Sequence, residues 1–414
     1  MSDAATALAT EPGPGCLLVT SIFPPIRGGS AVVYDNLGRY SGGRVAVLAP
    51  YRHYQTGHVL VGWRDHDKAA PYPIYRIELL RPREYDPTSK LQSLWRYVRI
   101  DVPLKFRILW KIRNIVLKEK IKILCIGELN SGSWIGPYAK LLWGCKIINY
   151  IHGEEVTSKA QYTFFGRSKE KYLNRADAVV AVSNFTRQAL IGLTQTAPAK
   201  IEVIYNGVDL DRFQITERNP QLVAKYRLAG KRVLLSVGRL VPRKGIDRTI
   251  EAMPRLLRRY PDLHYLVVGD GPYRGQLQQM VANLDLGRHV TFTGPIDDDE
   301  LRAHYALCDV FVLPNREMPD GDTEGFGLVF LEANACGKPV VGGRAGGVVE
   351  AVKDGANGLL VDGNSTESVA AAIERLLDDR ALYARLRQGG LEISRQSSWQ
   401  LRTQQFQALC QRLG

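Results

Sequence analysis

The chain has 414 residues, 45% hydrophobic and 23% charged, with a formal net charge of +13. That length outgrows a single hydrophobic core and predicts two domains, with an ordinary globular balance rather than a disordered or fibrous one. No apolar run reaches about 18 residues, which excludes a membrane-spanning helix.

Residues 1–15 carry neither a basic head nor an apolar stretch, so they read as a lead-in rather than a secretory signal. Six cysteines, Cys16, Cys125, Cys145, Cys308, Cys336 and Cys410, stand far apart without paired spacing. They predict buried thiols in a reducing, cytoplasmic setting, with no metal site and no disulfide framework.

In chain order, an apolar run at Cys16–Thr20 leads into a loop with Pro24, Pro25, Gly28 and Gly29, then a helical stretch from Ser30 to Tyr40. Further strand candidates are Val45–Ala49, Ile123–Ile126, Lys146–Ile151 and Ala178–Val182. Between Arg81 and Lys122, twelve Lys/Arg face four acids, a net of +8, interleaved with Trp, Tyr, Leu and Ile. Two readings stand for this segment: a solvated helix pair whose apolar stripe faces its own core, or an amphipathic element lying on an anionic membrane surface. No nucleic-acid motif accompanies the charge, so no nucleic-acid partner is expected.

The second half repeats the rhythm, with strand candidates at Arg232–Val237, His264–Val268, Val290–Thr293, Val310–Leu313, Pro339–Val341 and Gly358–Val361. Amphipathic stretches at Ile246–Tyr260 and Ser365–Gln388 lie between them, and Ser398–Leu413 reads as a last helix. Short β-rich runs alternating with helices predict two doubly wound, Rossmann-like α/β domains, 1–207 and 208–397, facing one another across a cleft. The link falls near Val208–Arg218.

The richest chemistry lies in Asp322-Thr323-Glu324-Gly325-Phe326-Gly327-Leu328-Val329-Phe330-Leu331-Glu332. Eight positions of continuous helix turn through about 800°, so Glu324 and Glu332 would not share a face. Glu324 is therefore expected on a loop, a helix is expected to start near Gly327 or Leu328, and Glu332 is expected two turns in. Free N–H groups at such a start favour an anion, and a carboxylate on each side suits a sugar joined to a diphosphate. A surface glutamate in a glycine-rich turn would have the same composition.

Ser236-Val237-Gly238-Arg239-Leu240-Val241-Pro242-Arg243-Lys244-Gly245 follows a strand and precedes a helix. Open α/β sheets bind ligands at that end, and Arg239 and Lys244 supply two positive charges to a diphosphate. An ordinary basic loop is the alternative. Gly28-Gly29 and Gly269-Asp270-Gly271-Pro272 close other strands, as phosphate-contacting loops or plain turns. Neither a Walker A loop nor a dinucleotide GxGxxG is present. His152 ends the Lys146–Ile151 run, on the side that would face the cleft.

Together these motifs, with Tyr205-Asn206-Gly207-Val208-Asp209 and Gly346-Gly347-Val348-Val349-Glu350, resemble the retaining glycosyltransferases of the GT-B fold, family GT4, which include bacterial mannosyl-, glucosyl- and N-acetylglucosaminyltransferases. The similarity runs through most of residues 16–414. It implies that Arg239 and Lys244 bind the donor diphosphate and stabilise the departing nucleotide. Glu332 would hold the ribose hydroxyls. Glu324 would contact the sugar ring, helped by the N–H groups of Phe326, Gly327 and Leu328. Gly28 and Gly29 would cover the phosphates and acceptor, His152 would lie near the sugar's 6-hydroxyl, and Gly238 and Gly269 would line the donor site. The resemblance also implies same-face attack, no metal, no resident cofactor, and a terminal helix (398–414) that packs back on the first domain.

The run Ile296-Asp297-Asp298-Asp299-Glu300 offers a carboxylate, Asp298, that can accept both N1–H and the 2-amino group of guanine, against a single N3–H of uracil. Helix capping is the alternative use of this run. GDP-mannose is thus favoured over a UDP-sugar as donor. A saccharide or lipid-linked saccharide is the expected acceptor, at the cytoplasmic face of a membrane if residues 81–122 touch one. A GT-B-fold epimerase or phosphorylase and a non-catalytic binding module are the competing readings.

Overall fold

The structure, a computed structural model, describes residues 13–83, 89–157 and 169–414, with the side chains of Lys90, Asp298 and Asp299 outside that set. The chain forms two compact units. One comprises Met1–Tyr150, Tyr162–Val180 and Thr403–Gly414; the other comprises Ile151–Gln161 and Ala181–Arg402.

A seven-stranded sheet is built from β1 (Cys16–Val19), β2 (Val45–Pro50), β3 (Ile74–Ile77), β4 (Ile123–Ile126), β5 (Lys146–Ile151), β6 (Ala178–Ala181) and β7 (Ile201–Val203), in the order β3-β2-β1-β4-β5-β6-β7. A six-stranded sheet holds β8 (Arg232–Val237), β9 (Leu263–Val268), β10 (Val290–Gly294), β11 (Val310–Leu313), β12 (Val340–Gly343) and β13 (Gly358–Val361), in the order β10-β9-β8-β11-β12-β13. β1 pairs in parallel with β2 and β4, and β8 in parallel with β9 and β11. In each sheet the strand order therefore reverses beside its first strand. Such a switch point opens a crevice outside the carboxyl ends of the two strands, where ligands bind.

The central strands are runs of Leu, Val and Ile buried on both faces, as parallel sheets covered by helices require. β3 and β7 are absent from the strands expected above. β3 reads Ile-Tyr-Arg-Ile with every residue only half-buried, and β7 has three residues, so neither carries the apolar signature of a central strand. The single stretch expected at Ser365–Gln388 is two helices, Thr366–Asp378 and Arg380–Arg395. Asp379 separates them because its side chain accepts the Leu382 N–H and caps the second.

The basic segment buries one apolar stripe, as the solvated-helix reading expects, and exposes further apolar side chains. Helix Val102–Glu119 buries Ile108, Ile112, Ile115 and Val116, one stripe at helical spacing. On other faces Phe106 is 69% and Trp110 66% exposed, and Leu91, Leu94 and Trp95 of helix Lys90–Arg96 are exposed as well. Among the described residues no helix is long and apolar enough to cross a membrane, and no cluster of His, Cys, Asp or Glu is placed to hold a metal. All six cysteines are free thiols, five of them buried. Helix Trp399–Leu413 ends the chain, and in the first unit Gln407 Nε2 donates to Ser41 O at 2.6 Å.

Candidate active site

The second sheet's switch point lies between β8 and β11, and the residues following those strands converge there. After β8 the chain makes a short 3₁₀ turn, Pro242–Lys244, before helix Ile246–Arg259. After β11, the Arg316 N–H donates to Arg243 O at 2.9 Å, and Arg316 Nη2 reaches Asp247 Oδ2 at 2.9 Å. Gly245 turns the chain with φ 69°, and a Cβ there would lie 2.0 Å from Pro314 O. The turn carrying Lys244 is thus seated against the end of β11.

That seating brings Lys244 Nζ to Glu324 Oε2 at 2.5 Å, with both side chains largely buried. Asn315 Nδ2 approaches the same oxygen at 3.4 Å. Burial works against the Glu324 carboxylate. The Lys244 charge and hydrogen bond, the Arg243 charge and the Phe326 N–H outweigh it and hold its pKa below the ordinary value. Arg243 Nη1 donates to both oxygens of Asp322, at 2.8 and 2.9 Å. Arg239 is 57% exposed, and its guanidinium lies 4.0 Å from Glu154, whose other oxygen is 3.6 Å from Arg243.

Glu324 sits on a loop, as the spacing predicted, and its backbone is wedged between two others. A Cβ on Gly325 would lie 1.8 Å from His152 O, so only glycine permits this approach. On the other side, the Gly347 N–H donates to Glu324 O at 2.8 Å. His152 follows β5, and Glu155 accepts the His152 and Gly153 N–H groups at 3.2 and 3.1 Å. Burial lowers the His152 pKa to about 4, so the ring is neutral at pH 7.

Helix Leu328–Ala335 starts from Gly327, with Phe326 buried just before it. Glu332 lies one turn into this helix rather than two, since the helix begins only four residues earlier. Its Oε2 accepts from Tyr305 Oη at 2.7 Å, and both residues are buried. The Gly238 N–H donates to Val268 O and the Gly269 N–H to Gly294 O, each at 3.0 Å, which sets the ends of β8, β9 and β10 side by side. Ile296 lies between β10 and helix Asp298–Leu307. Asp297 is the residue before that helix, and its side chain makes no capping hydrogen bond. The Asp298 side chain lies outside the described residues. Gly28 and Gly29 are exposed in the first unit, at the start of helix Gly29–Arg39.

The structure therefore gathers Arg239, Lys244, Glu324 and His152, with Gly238, Gly269, Phe326, Gly327, Leu328 and Glu332 on the adjoining elements. Sequence reading gave no role to Arg243, Asp322, Asn315 or Tyr305. Arg243 and Asp322 stood beside assigned residues and were recognisable only as a charge pair of opposite sign, 79 positions apart. Tyr305 carried no signal beyond its place in an amphipathic helix.

Comparison with known proteins fits this geometry. Residues 219–392 match the family of glycosyl transferases group 1, and residues 27–212 match glycosyltransferase family 4. A GDP-mannose-dependent alpha-(1-6)-phosphatidylinositol monomannoside mannosyltransferase of Mycolicibacterium smegmatis is 33% identical over 392 residues, spanning 94% of this chain and 95% of that protein. A D-inositol 3-phosphate glycosyltransferase of Salinispora arenicola is 33% identical over 64% of this chain and 63% of its own length. Among solved structures, Anabaena HepE in complex with UDP superposes with a TM-score of 0.74 at 22% identity, covering 95% of this chain and 98% of that one. A sucrose-phosphate synthase from Thermosynechococcus elongatus gives 0.75 at 23%, covering 97% and 99%. These two show the fold, GT-B. The chain belongs to the group 1, family 4 glycosyltransferases, and it is a glycosyltransferase taking its sugar from a nucleotide-sugar donor.

Proposed function

We propose that this enzyme is a retaining mannosyltransferase that takes mannose from GDP-mannose and places it on a lipid-linked, phosphatidylinositol-type mannoside at the cytoplasmic face of a membrane. The observation that carries the transfer chemistry is the buried Lys244–Glu324 pair at the switch point, with Arg239 exposed beside it. A diphosphate bound there meets two fixed cations, and neutralising the leaving group is a large catalytic effect. Glu324, kept ionised, accepts hydrogen bonds from the sugar hydroxyls. His152, neutral, can donate to or accept from the 6-hydroxyl without adding charge. Glu332, oriented by Tyr305, takes the ribose hydroxyls.

In this reading no resident cofactor takes part, because Arg239 and Lys244 supply the positive charge the diphosphate needs. The acceptor hydroxyl attacks the face the nucleotide leaves, and a leaving phosphate oxygen accepts its proton. The donor and acceptor are inferred from the Mycolicibacterium relative's own specificity. Membrane contact is inferred from exposed Leu91, Leu94, Trp95, Phe106 and Trp110, interleaved with the exposed cations Arg99, Arg107 and Arg113.

The test is transfer of labelled mannose from GDP-mannose to a mannosylated phosphatidylinositol in anionic vesicles, with the product's anomeric configuration read by NMR. An α-linked product, and binding of GDP in preference to UDP, support the reading. Preference for UDP, an inverted product, or equal activity on a soluble acceptor without vesicles would overturn it.

A further inference from the structure

Pro314, Asn315 and Arg316, which follow β11, form a strip pressed between close glycine backbones. On one side, a Cβ on Gly343 of β12 would lie 1.7 Å from Asn315 O, and one on Gly363 would lie 2.3 Å from it. On the other, a Cβ on Gly245 would lie 2.0 Å from Pro314 O. Packing this close leaves the strip little room to shift. Asn315 and Arg316 are 1% and 8% exposed.

Arg316 holds the turn after β8 at two points. Its N–H donates to Arg243 O at 2.9 Å, and its Nη2 lies 2.9 Å from Asp247 Oδ2, with both side chains buried. Arg243 and Asp247 stand on either side of Lys244, so one residue fixes both ends of segment 243–247. The neighbouring Asn315 directs Nδ2 to Glu324 Oε2 at 3.4 Å. Residues 315 and 316 therefore support both members of the Lys244–Glu324 pair. Strip, turn and ion pair all lie in the second unit.

The Arg316–Asp247 contact is itself a buried ion pair. Desolvation of two charges offsets most of such an attraction, so its main consequence is where it holds the chain rather than how much it stabilises it. Arg316 is buried and engaged with Asp247, which leaves Lys244 as the charge through which it can act on a ligand.

We propose that Arg316 is a positioning residue of the transfer reaction: pinned to Asp247, it holds segment 243–247 so that Lys244 presents its charge at the switch point. This rests on the proposed role of Lys244 at the donor diphosphate.

The experiment uses the full chain. Arg316→Met is combined with Asp247→Asn, so that neither charge is left buried alone. This double variant and Arg316→Lys are each made with and without Lys244→Ala. Amide exchange of residues 243–247 and the kcat of transfer from GDP-mannose are measured on each. The double variant is expected to speed exchange of these amides by about tenfold or more and to lower kcat by about 10²-fold through misplacement of Lys244. Arg316→Lys, which keeps a cation near Asp247, should lose less. In the Lys244→Ala background the same changes should alter kcat by less than about twofold, because residues acting through one charge are not additive. Should the double variant fail to fold, Arg316→Lys carries the same readouts at smaller amplitude. Unchanged exchange in 243–247 overturns the proposal whatever the rate does. An equal loss of kcat with and without Lys244 also overturns it, since Arg316 then acts by another route. Normal kcat in the double variant overturns it too, and Lys244→Ala alone then tells why. If Lys244→Ala also transfers normally, the reading of Lys244 at the diphosphate is what failed. If it is slow, Lys244 is used and Arg316 does not position it.

Discussion

Lys244 and Glu324, 80 positions apart in the chain, meet as a buried ion pair with Nζ 2.5 Å from Oε2. Each is what makes the other's charge tolerable there, because an unpaired buried charge is costly. One residue belongs to the loop after β8 and the other to the loop after β11, so the pair exists only because those strands are neighbours in the sheet.

Removing Lys244 should therefore have two separable effects. Lys244→Ala is expected to lower kcat by about 10²–10³ through loss of leaving-group stabilisation. It should also destabilise the fold by about 3 kcal/mol, since the buried Glu324 loses its direct ion-pair partner and keeps only the Arg243 charge and the Phe326 N–H. Adding Glu324→Gln should recover most of the stability and none of the rate. Arg239→Ala, at an exposed position, should show the rate loss alone. Near-normal turnover in both single variants would remove these residues from the site.

Gly325→Ala tests the wedge between the Glu324 loop and His152. The added methyl would sit 1.8 Å from His152 O, so one backbone must move. A displacement of about 1 Å at the reacting groups is expected to reduce kcat by about 10²-fold. Gly275→Ala, with nothing within 4 Å in helix Arg274–Asn283, is the control. It should leave activity intact and stabilise the fold by about 0.4–1 kcal/mol. Equal behaviour of the two variants in kinetics would contradict the close approach.

His66, on helix Trp63–Ala69 of the first unit and between Asp35 and Asp67, predicts an alkaline loss of stability. Burial disfavours the charged ring, but its hydrogen bonds to Asp35 and Asp67 and the Asp35 charge raise its pKa from 6.5 to about 9. A raised folded pKa means the folded state holds the proton more tightly. The contribution is complete below about 6.5 and is lost as pH rises through about 9. The thermal midpoint should fall by roughly 2–4 °C more between pH 7 and 10 in the unaltered protein than in His66→Gln. Parallel midpoint curves for the two proteins would refute the charge assignment.

Tyr305→Phe isolates the support of Glu332. Losing the hydroxyl that donates to Oε2 at 2.7 Å leaves the buried carboxylate short of a partner. Nucleotide affinity is expected to weaken by about tenfold, the scale of one hydrogen bond to a charged group. Calorimetric titration with GDP measures it. An unchanged affinity, with Glu332→Ala also silent, would take Glu332 out of the nucleotide site.

Much of the architecture was legible because it depends on local patterning. Runs such as Leu234-Leu235 and Leu266-Val267 announce buried parallel strands, and glycine-rich punctuation after them marks the strand ends where ligands bind. The break at Gly327 and the helix beyond it followed from the spacing of Glu324 and Glu332. β3 escaped because its residues are half-buried with mixed polarity, and the boundary at Asp379 because a single capping side chain divides an otherwise unbroken amphipathic pattern. The basic segment was ambiguous for a physical reason. One helix can carry a buried stripe at Ile108, Ile112 and Ile115 and still expose Phe106 and Trp110, and composition does not separate the two faces.

By itself, then, the sequence determined the succession of strands and helices, the loops that bear Arg239, Lys244 and Glu324, and the family to which they belong. Those properties follow from short-range periodicity and from motifs read in order. Only the tertiary structure decided which charges pair: Lys244 with Glu324, Arg243 with Asp322, His66 between Asp35 and Asp67. Pairing depends on which strand ends lie side by side and on how closely glycine lets two backbones approach. A linear sequence carries the residues for such contacts but not the distances that make them act on one another.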